Sequence, residues 1–102
     1  MISTHVLDTA KGKPAAGVPV TLEHAGVHVG GGLTNADGRF RFEEHVVVAG
    51  AYRITFQTSL YFGDQPAFYP SVTVDFLVHD AAAHYHVPLL LSPYGYSTYR
   101  GS

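Results

Sequence analysis

The chain contains no cysteine, so it has neither disulfide bonds nor a thiol nucleophile. Basic residues are also few: six Lys and Arg with a formal net charge of -2 leave no basic patch for nucleic acid or an anionic membrane. The apolar runs Val46–Val48 and Val87–Leu91 are too short to cross a bilayer. No secretory signal precedes Lys11, the first basic residue, so we expect a cytoplasmic protein.

The length and composition favour one domain that associates with copies of itself. A chain of 102 residues predicts a single domain over 1–102, and at this size folding leaves much of the chain's surface exposed. The residues are 46% hydrophobic and only 14% charged, more apolar than one small core can hide. We therefore expect subunits to meet through apolar surface.

Short stretches of alternating apolar and polar residues, separated by turn residues, predict an all-β fold. Successive side chains of a strand point to opposite faces of its sheet. The predicted strands are Ile2–Thr9, Val18–Glu23, Arg39–Phe42, Ala51–Thr58, Ser71–Val78, the stretch from His84 to Leu91, and Tyr96–Gly101, with a weak strand or loose connection over His24–Leu33. Thr58–Gly63 predicts at most one or two helical turns. Seven to eight short strands with one short helix are typical of a two-sheet antiparallel sandwich.

Histidine is over-represented, with seven residues, and its pKa suits it to proton transfer near neutral pH. His84 and His86 are two positions apart in a predicted strand and share one face with Pro88 and Leu90, while the other face holds Tyr85, Val87, Leu89 and Leu91. His5 lies in the middle of a largely apolar strand, where a site role and a partly buried structural role are equally favoured. The three rings could bind zinc, or one histidine could act as a base with the others as structural neighbours. Zinc is the weaker hypothesis, because no Asp or Glu accompanies the pair and a His-x-His pattern is short enough to arise by chance.

Arg39 directly follows the Asp37-Gly38 turn and begins a strand at the end of a sheet. A guanidinium fixed there could bind a carbonyl-rich or anionic substrate and stabilise negative charge in a transition state. Arg41 shares its face and could play the same part. An exposed edge charge is the simpler alternative for both side chains.

Five motifs, in the same order along the chain, resemble those of the 5-hydroxyisourate hydrolases, the transthyretin-related enzymes of urate breakdown. They are Ser3–Asp8 (STHVLD), Gly12–Ala15 (GKPA), Thr34–Arg39 (TNADGR), His84–Ser92 (HYHVPLLLS) and Tyr96–Ser102 (YSTYRGS). The Tyr-Arg-Gly-Ser ending is the most specific part, because it separates the hydrolases from the transthyretin hormone carriers that share their fold.

The resemblance implies a transthyretin-like sandwich of two four-stranded sheets that assembles as a homotetramer, a dimer of dimers. It implies hydrolysis of the purine-derived 5-hydroxyisourate to 2-oxo-4-hydroxy-4-carboxy-5-ureidoimidazoline, without a cofactor or metal. The catalytic residues of such enzymes fall here on His5, Arg39 and His86. Tyr99 and Ser102 are then expected to bind substrate in the same site.

Two other functions on this chain stay open at the level of sequence. A small-molecule carrier of the same fold would bind ligands without catalysis, although such carriers lack the histidine and serine pattern seen here. A zinc-dependent cyclic amidase would use His5, His84 and His86 as metal ligands. The motifs favour the metal-independent hydrolase over both, and they leave open which histidine is the general base.

Overall fold

The computed structural model describes residues 1–102 as two sheets and one short helix. The elements are β1 (Ile2–Asp8), β2 (Lys13–Pro14), β3 (Pro19–His24), β4 (Val27–Leu33), β5 (Arg39–Arg41), β6 (Gly50–Phe56), α1 (Thr58–Phe62), β7 (Val72–Val78), β8 (Tyr85–Ser92) and β9 (Gly95–Thr98). The predicted all-β sandwich with one short helix is confirmed. The helix is too short to cross a bilayer.

The first sheet is built around β1, which has neighbours along both edges. Strand β8 pairs with one edge, and β9 follows β8 as a hairpin. The opposite edge is shared: β5 pairs with the N-terminal half of β1 and β2 with its last two residues. The second sheet has the order β4-β3-β6-β7 and is antiparallel throughout.

Two details differ from the sequence-based expectation. Strands β1 and β8 run parallel, whereas an antiparallel sandwich was predicted. Parallel pairing needs a long connection, and here the connection includes the whole of the second sheet. The first sheet also has five strands instead of four, because Lys13–Pro14, which lies outside all the predicted strands, pairs with the end of β1 as β2.

The core lies between the two sheets and follows the predicted alternation. In β1, Ile2 and Val6 are fully buried, and in β8 the inward side chains Tyr85, Val87 and Leu89 are at most 5% exposed. The glycine-rich β4 forms a strand from Val27 to Leu33, which pairs with β3 with one register shift between Leu22 and Glu23. The inner faces of the strands therefore hold the sandwich together and leave the outer face of the first sheet for polar side chains.

Candidate active site

The outer face of the first sheet gathers side chains from three strands whose registers align. Ser3 lies opposite His86 of β8 on one side and opposite Arg41 of β5 on the other. His5, one repeat further along β1, lies opposite Arg39. Directly opposed residues of neighbouring strands point to the same face of a sheet. Strand β1 therefore places two histidines, two arginines and a serine on one surface.

All of these side chains except His5 line a cleft of about 240 Å³. The lining residues are Ser3, Thr4, Arg39, Phe40, Arg41, His84, His86 and Ser102. Phe40 is the single hydrophobic residue among them. A small, open and cationic cleft of this kind suits a polar, carbonyl-rich molecule better than an extended apolar one.

A tight turn holds Arg39 at the rim of the cleft. The side-chain oxygen of Asn35 accepts hydrogen bonds from the backbone N–H groups of Asp37 and Arg39, at 2.9 and 3.0 Å. Gly38 adopts a φ of +75°, which favours glycine, and its carbonyl accepts a 2.7 Å hydrogen bond from the N–H of Val6 in β1. Neither of the two salt bridges in the structure involves Arg39. The turn thus fixes the backbone of Arg39, and its guanidinium, which has no salt-bridge partner, is available to a ligand.

His86 is held neutral by its surroundings. Partial burial lowers the pKa of its imidazole, and the nearby charge of Arg39 lowers it further, with smaller contributions from His84 and His5. Its Nδ1 contacts Ser3, and its Nε2 has no hydrogen-bond partner in the protein. Because no buried side-chain nitrogen or oxygen lacks such a partner, Nε2 must be accessible to solvent. A neutral imidazole with an open nitrogen is equipped to act as a base.

His5 faces the same surface from the neighbouring position of the sheet. Its ring centroid lies 6.5 Å from that of His86, and its side chain is half-buried. One small molecule could contact both rings. His5, Arg39 and His86, the three predicted catalytic residues, are therefore brought together by the fold.

The C-terminal segment is fastened beside His86. Gly101 donates a 2.8 Å backbone hydrogen bond to the carbonyl of His86, and the guanidinium carbon of Arg100 lies 4.3 Å from the ring centroid of Tyr85. Ser102, one of the two residues predicted to bind substrate, follows Gly101 and lines the cleft. Tyr99 lines a different cleft of about 390 Å³, between the ends of β7 and β8, so the two predicted substrate-binding residues are separated within one chain.

Ser3 was not predicted as a site residue. It is 5% exposed, and its hydroxyl lies 2.8 Å from Nε2 of His84 and 2.8 Å from Nδ1 of His86. The alternation of β1 already placed Ser3 and His5 on one face, which is the signal that could have found it. What the sequence alone did not show is that β8 lies next to β1.

The zinc hypothesis receives no support from the geometry. No group of three or more His, Cys, Asp or Glu side chains is arranged to hold a metal ion. His84 and His86 point towards Ser3 between them, and their ring planes are tilted by 63°.

Comparison with known proteins gives the same family from sequence and from structure. The model of the HIUase/Transthyretin family matches residues 2–101. The 5-hydroxyisourate hydrolase of Salmonella dublin is 44% identical over 110 residues, which cover 100% of this chain and 81% of that relative. The Klebsiella pneumoniae 5-hydroxyisourate hydrolase superposes with a TM-score of 0.91 at 38% identity, over 99% and 98% of the two chains. The structure of sea bream transthyretin in complex with thyroxine superposes with a TM-score of 0.89 at 30% identity, over 98% of this chain and 93% of that chain.

Proposed function

The chain belongs to the HIUase/Transthyretin family and hydrolyses 5-hydroxyisourate in urate degradation, and we propose that His5, Arg39 and His86 carry out this reaction. Relatives at about 44% identity over the full chain bear the hydrolase name. One observation carries the assignment of residues: the register of β5, β1 and β8 gathers these three side chains on one face, with His86 neutral beside a cation.

The reaction opens the six-membered ring of the substrate at an amide-type C–N bond. Water adds its oxygen to the ring carbonyl carbon and loses a proton, which leaves a tetrahedral intermediate with a negative oxygen. The C–N bond then breaks, the carbonyl re-forms as part of the new carboxyl group, and the released nitrogen takes up a proton. The product is 2-oxo-4-hydroxy-4-carboxy-5-ureidoimidazoline, and the protein must supply a base, a cation and a proton donor.

His86 is the base in this proposal. Its lowered pKa keeps the imidazole neutral at pH 7, and the accessible Nε2 can take the proton from the attacking water. The same nitrogen then gives that proton to the leaving ring nitrogen, so His86 ends the cycle as it began. His5, with its ring centroid 6.5 Å away, orients the substrate by hydrogen bonding.

Arg39 binds the substrate and stabilises the negative oxygen of the intermediate. A guanidinium stays charged at any pH of interest and presents several N–H donors in one plane. Because no carboxylate of the chain forms a salt bridge with Arg39, its donors are available to the substrate oxygens. Electrostatic stabilisation of this kind is often the largest single contribution to catalysis.

Ser102 and Tyr99 complete the proposed substrate contacts from two directions. Ser102 lines the cleft itself and can donate a hydrogen bond to a substrate carbonyl. Tyr99 is 58% exposed and lines the other cleft. To contact a substrate bound beside His86 of the same chain, its side chain would have to move from that cleft towards the one that Ser102 lines. No cofactor or metal enters the proposed reaction.

We further propose a homotetramer, arranged as a dimer of dimers, with a single domain per chain. The cleft lies on an exposed face of the first sheet, where a second subunit would shield the site from bulk solvent while leaving room for the substrate and the attacking water. Large apolar side chains elsewhere are also exposed, including Phe68 at 68% and Tyr94 at 68%. Light scattering should give four times the 11.0 kDa of one chain. The cytoplasm remains our predicted location, which fractionation of the source cells would test.

A carrier function is the alternative, because the fold also superposes on a transthyretin. A carrier would bind its ligand in the same surface without turning it over. The cleft argues against this alternative, because only one of its eight lining residues is hydrophobic. Binding sites for drug-sized ligands are lined predominantly by apolar side chains.

The direct test of the function is an ultraviolet absorbance time course. Fresh 5-hydroxyisourate is generated from urate, the purified protein is added with and without a metal chelator, and decay is compared with the spontaneous rate. We expect acceleration that the chelator leaves unchanged. A folded protein that gives no acceleration would indicate the carrier, and acceleration abolished by chelator would indicate the zinc enzyme.

A further inference from the structure

We propose that Ser3 and His84 are positioning residues that together fix the tautomer of His86, an inference that rests on the proposed role of His86 as the base. The hydroxyl oxygen of Ser3 lies between the two rings, 2.8 Å from Nε2 of His84 and 2.8 Å from Nδ1 of His86. The side chain of Ser3 forms no other hydrogen bond and is almost fully buried. The hydroxyl of Ser3 therefore forms hydrogen bonds only with the two imidazoles.

The single hydrogen of a hydroxyl couples the two histidines. A serine hydroxyl donates one hydrogen bond and can accept two. If both rings donated an N–H to Ser3, the hydrogen of the nearly buried hydroxyl would have no acceptor, because this side chain has no other hydrogen-bond partner. All the donors are satisfied only when one ring donates its N–H to Ser3 and the other ring accepts the hydrogen of Ser3. The tautomers of His84 and His86 therefore cannot be chosen independently.

Two arrangements satisfy this rule. In the first, Nδ1–H of His86 donates to Ser3, and Ser3 donates to Nε2 of His84, which leaves Nε2 of His86 with a lone pair. In the second, the direction is reversed, and Nε2 of His86 carries a hydrogen. Only the first arrangement gives a base at Nε2, the ring nitrogen that has no hydrogen-bond partner in the protein.

The charges of the cleft favour the first arrangement. Arg39 lines the same cleft as His86 and its charge acts on the His86 ring, whereas Arg41 forms a salt bridge with Glu43. A lone pair on the free nitrogen of His86 is favourable near the charge of Arg39, whereas an N–H group there is not. The polar surroundings therefore select the tautomer that can accept a proton.

The same arrangement persists through the catalytic cycle. When Nε2 takes the proton of water, Nδ1 keeps its own hydrogen and continues to donate to Ser3. When Nε2 gives its proton to the leaving nitrogen, the neutral tautomer is restored without any change at Ser3 or His84. In other hydrolases a carboxylate behind the histidine performs this orienting task, and its loss lets the wrong tautomer form. Here a hydroxyl and a second imidazole occupy that position.

The test combines tautomer spectroscopy with kinetics on three variants. Histidine-selective ¹⁵N labelling of the full chain reports which ring nitrogen of His86 carries hydrogen. In the wild type we expect hydrogen on Nδ1. In Ser3→Ala we expect a mixture of tautomers and a kcat lowered by roughly ten- to a hundredfold, part of the 10² to 10⁴ that general acid–base catalysis supplies. KM should change little, because Ser3 does not donate to the substrate.

His84 is tested with a matched pair of substitutions. His84→Gln keeps an acceptor near the position of Nε2 and should retain the tautomer of His86 and most of kcat. His84→Leu removes the acceptor and should lower kcat, while the double variant Ser3→Ala with His84→Leu should lose no more than Ser3→Ala alone. His28→Leu and Ser59→Ala, exposed residues outside the cleft, serve as controls.

The outcomes that would overturn the proposed role of Ser3 and His84 are specific. A single His86 tautomer and unchanged kcat in folded Ser3→Ala would overturn it, as would equal losses in His84→Gln and His84→Leu. Wild-type protein with no hydrolase activity would refute the proposed function instead, and the ¹⁵N spectra would still show whether the pair sets the tautomer. The two failures are therefore distinguishable.

Discussion

Gly101 lies so close to the ring of His86 that a β-carbon at position 101 would be 2.6 Å from Cδ2 of the imidazole. Gly101→Ala must therefore displace either the ring or the C-terminal segment. We expect kcat to fall by at least about tenfold, since small errors in the position of a catalytic group are costly. Stability should change little, because residues 98–100 are exposed. Steady-state kinetics and thermal unfolding measure the two effects.

Gly95→Ala is the matched control for that prediction. A β-carbon at position 95 would meet Ser92 at an ordinary 3.7 Å. This variant should keep wild-type turnover. Equal turnover in both glycine variants would show that the contact between Gly101 and His86 has no influence on the site.

Arg39→Gln should raise the pKa of His86. The positive charge of Arg39 is the second contribution, after burial, that lowers this pKa, so its removal brings the pKa part of the way back towards 6.5. Since the base must be neutral, the acid limb of the pH–rate profile should move to higher pH in this variant. An NMR titration of the His86 ring measures the shift directly.

Arg53→Gln provides the comparison for the electrostatic effect. Arg53 lies in β6 of the second sheet, whereas the cleft lies on the first sheet, and it forms a salt bridge with Asp75 on the surface. Its removal should leave the titration of His86 unchanged. An identical titration in both arginine variants would contradict the assigned cause.

Tyr61→Phe should destabilise the fold without affecting the cleft. The hydroxyl of Tyr61 donates a 2.7 Å hydrogen bond to Oδ2 of Asp8, a carboxylate that is 1% exposed. Burial, together with this carboxylate, raises the pKa of Tyr61 to about 12, so the hydroxyl remains a donor across the useful pH range. Leaving a buried polar group without its partner costs about 1–3 kcal/mol.

Denaturant unfolding measures that loss, with Tyr94→Phe as the control. Tyr94 is 68% exposed, and its hydroxyl forms no hydrogen bond within the chain, so this variant should unfold like the wild type. If Tyr61→Phe unfolded at the same denaturant concentration as Tyr94→Phe, the bond to Asp8 would contribute nothing to stability.

The faces of the strands could be predicted because alternation is a local property. The sequence around His84 and His86 places both rings on one side of a strand and the apolar residues on the other, and the structure confirms this division. The turn before Arg39 was equally clear, since Asn35 and Gly38 are residues that such turns favour.

The relations between distant strands could not be predicted in the same way. Nothing in the local pattern shows that β1 and β8 pair in parallel, and this pairing is what brings Ser3 into contact with two histidines. The separation of Tyr99 from Ser102 has a similar cause. Both residues follow β9, but the backbone pairing of Gly101 with His86 brings only the end of this segment to the cleft, so Ser102 lines it and Tyr99 does not.

The most direct test of the account is the turnover of 5-hydroxyisourate by His86→Ala, followed by ultraviolet absorbance beside the wild type and the surface variant His28→Ala. General acid–base catalysis contributes roughly 10² to 10⁴ in rate, so we predict that folded His86→Ala loses at least a hundredfold in kcat while His28→Ala does not. Near-normal turnover by folded His86→Ala would contradict the assignment of His86 as the base and of this cleft as the active site.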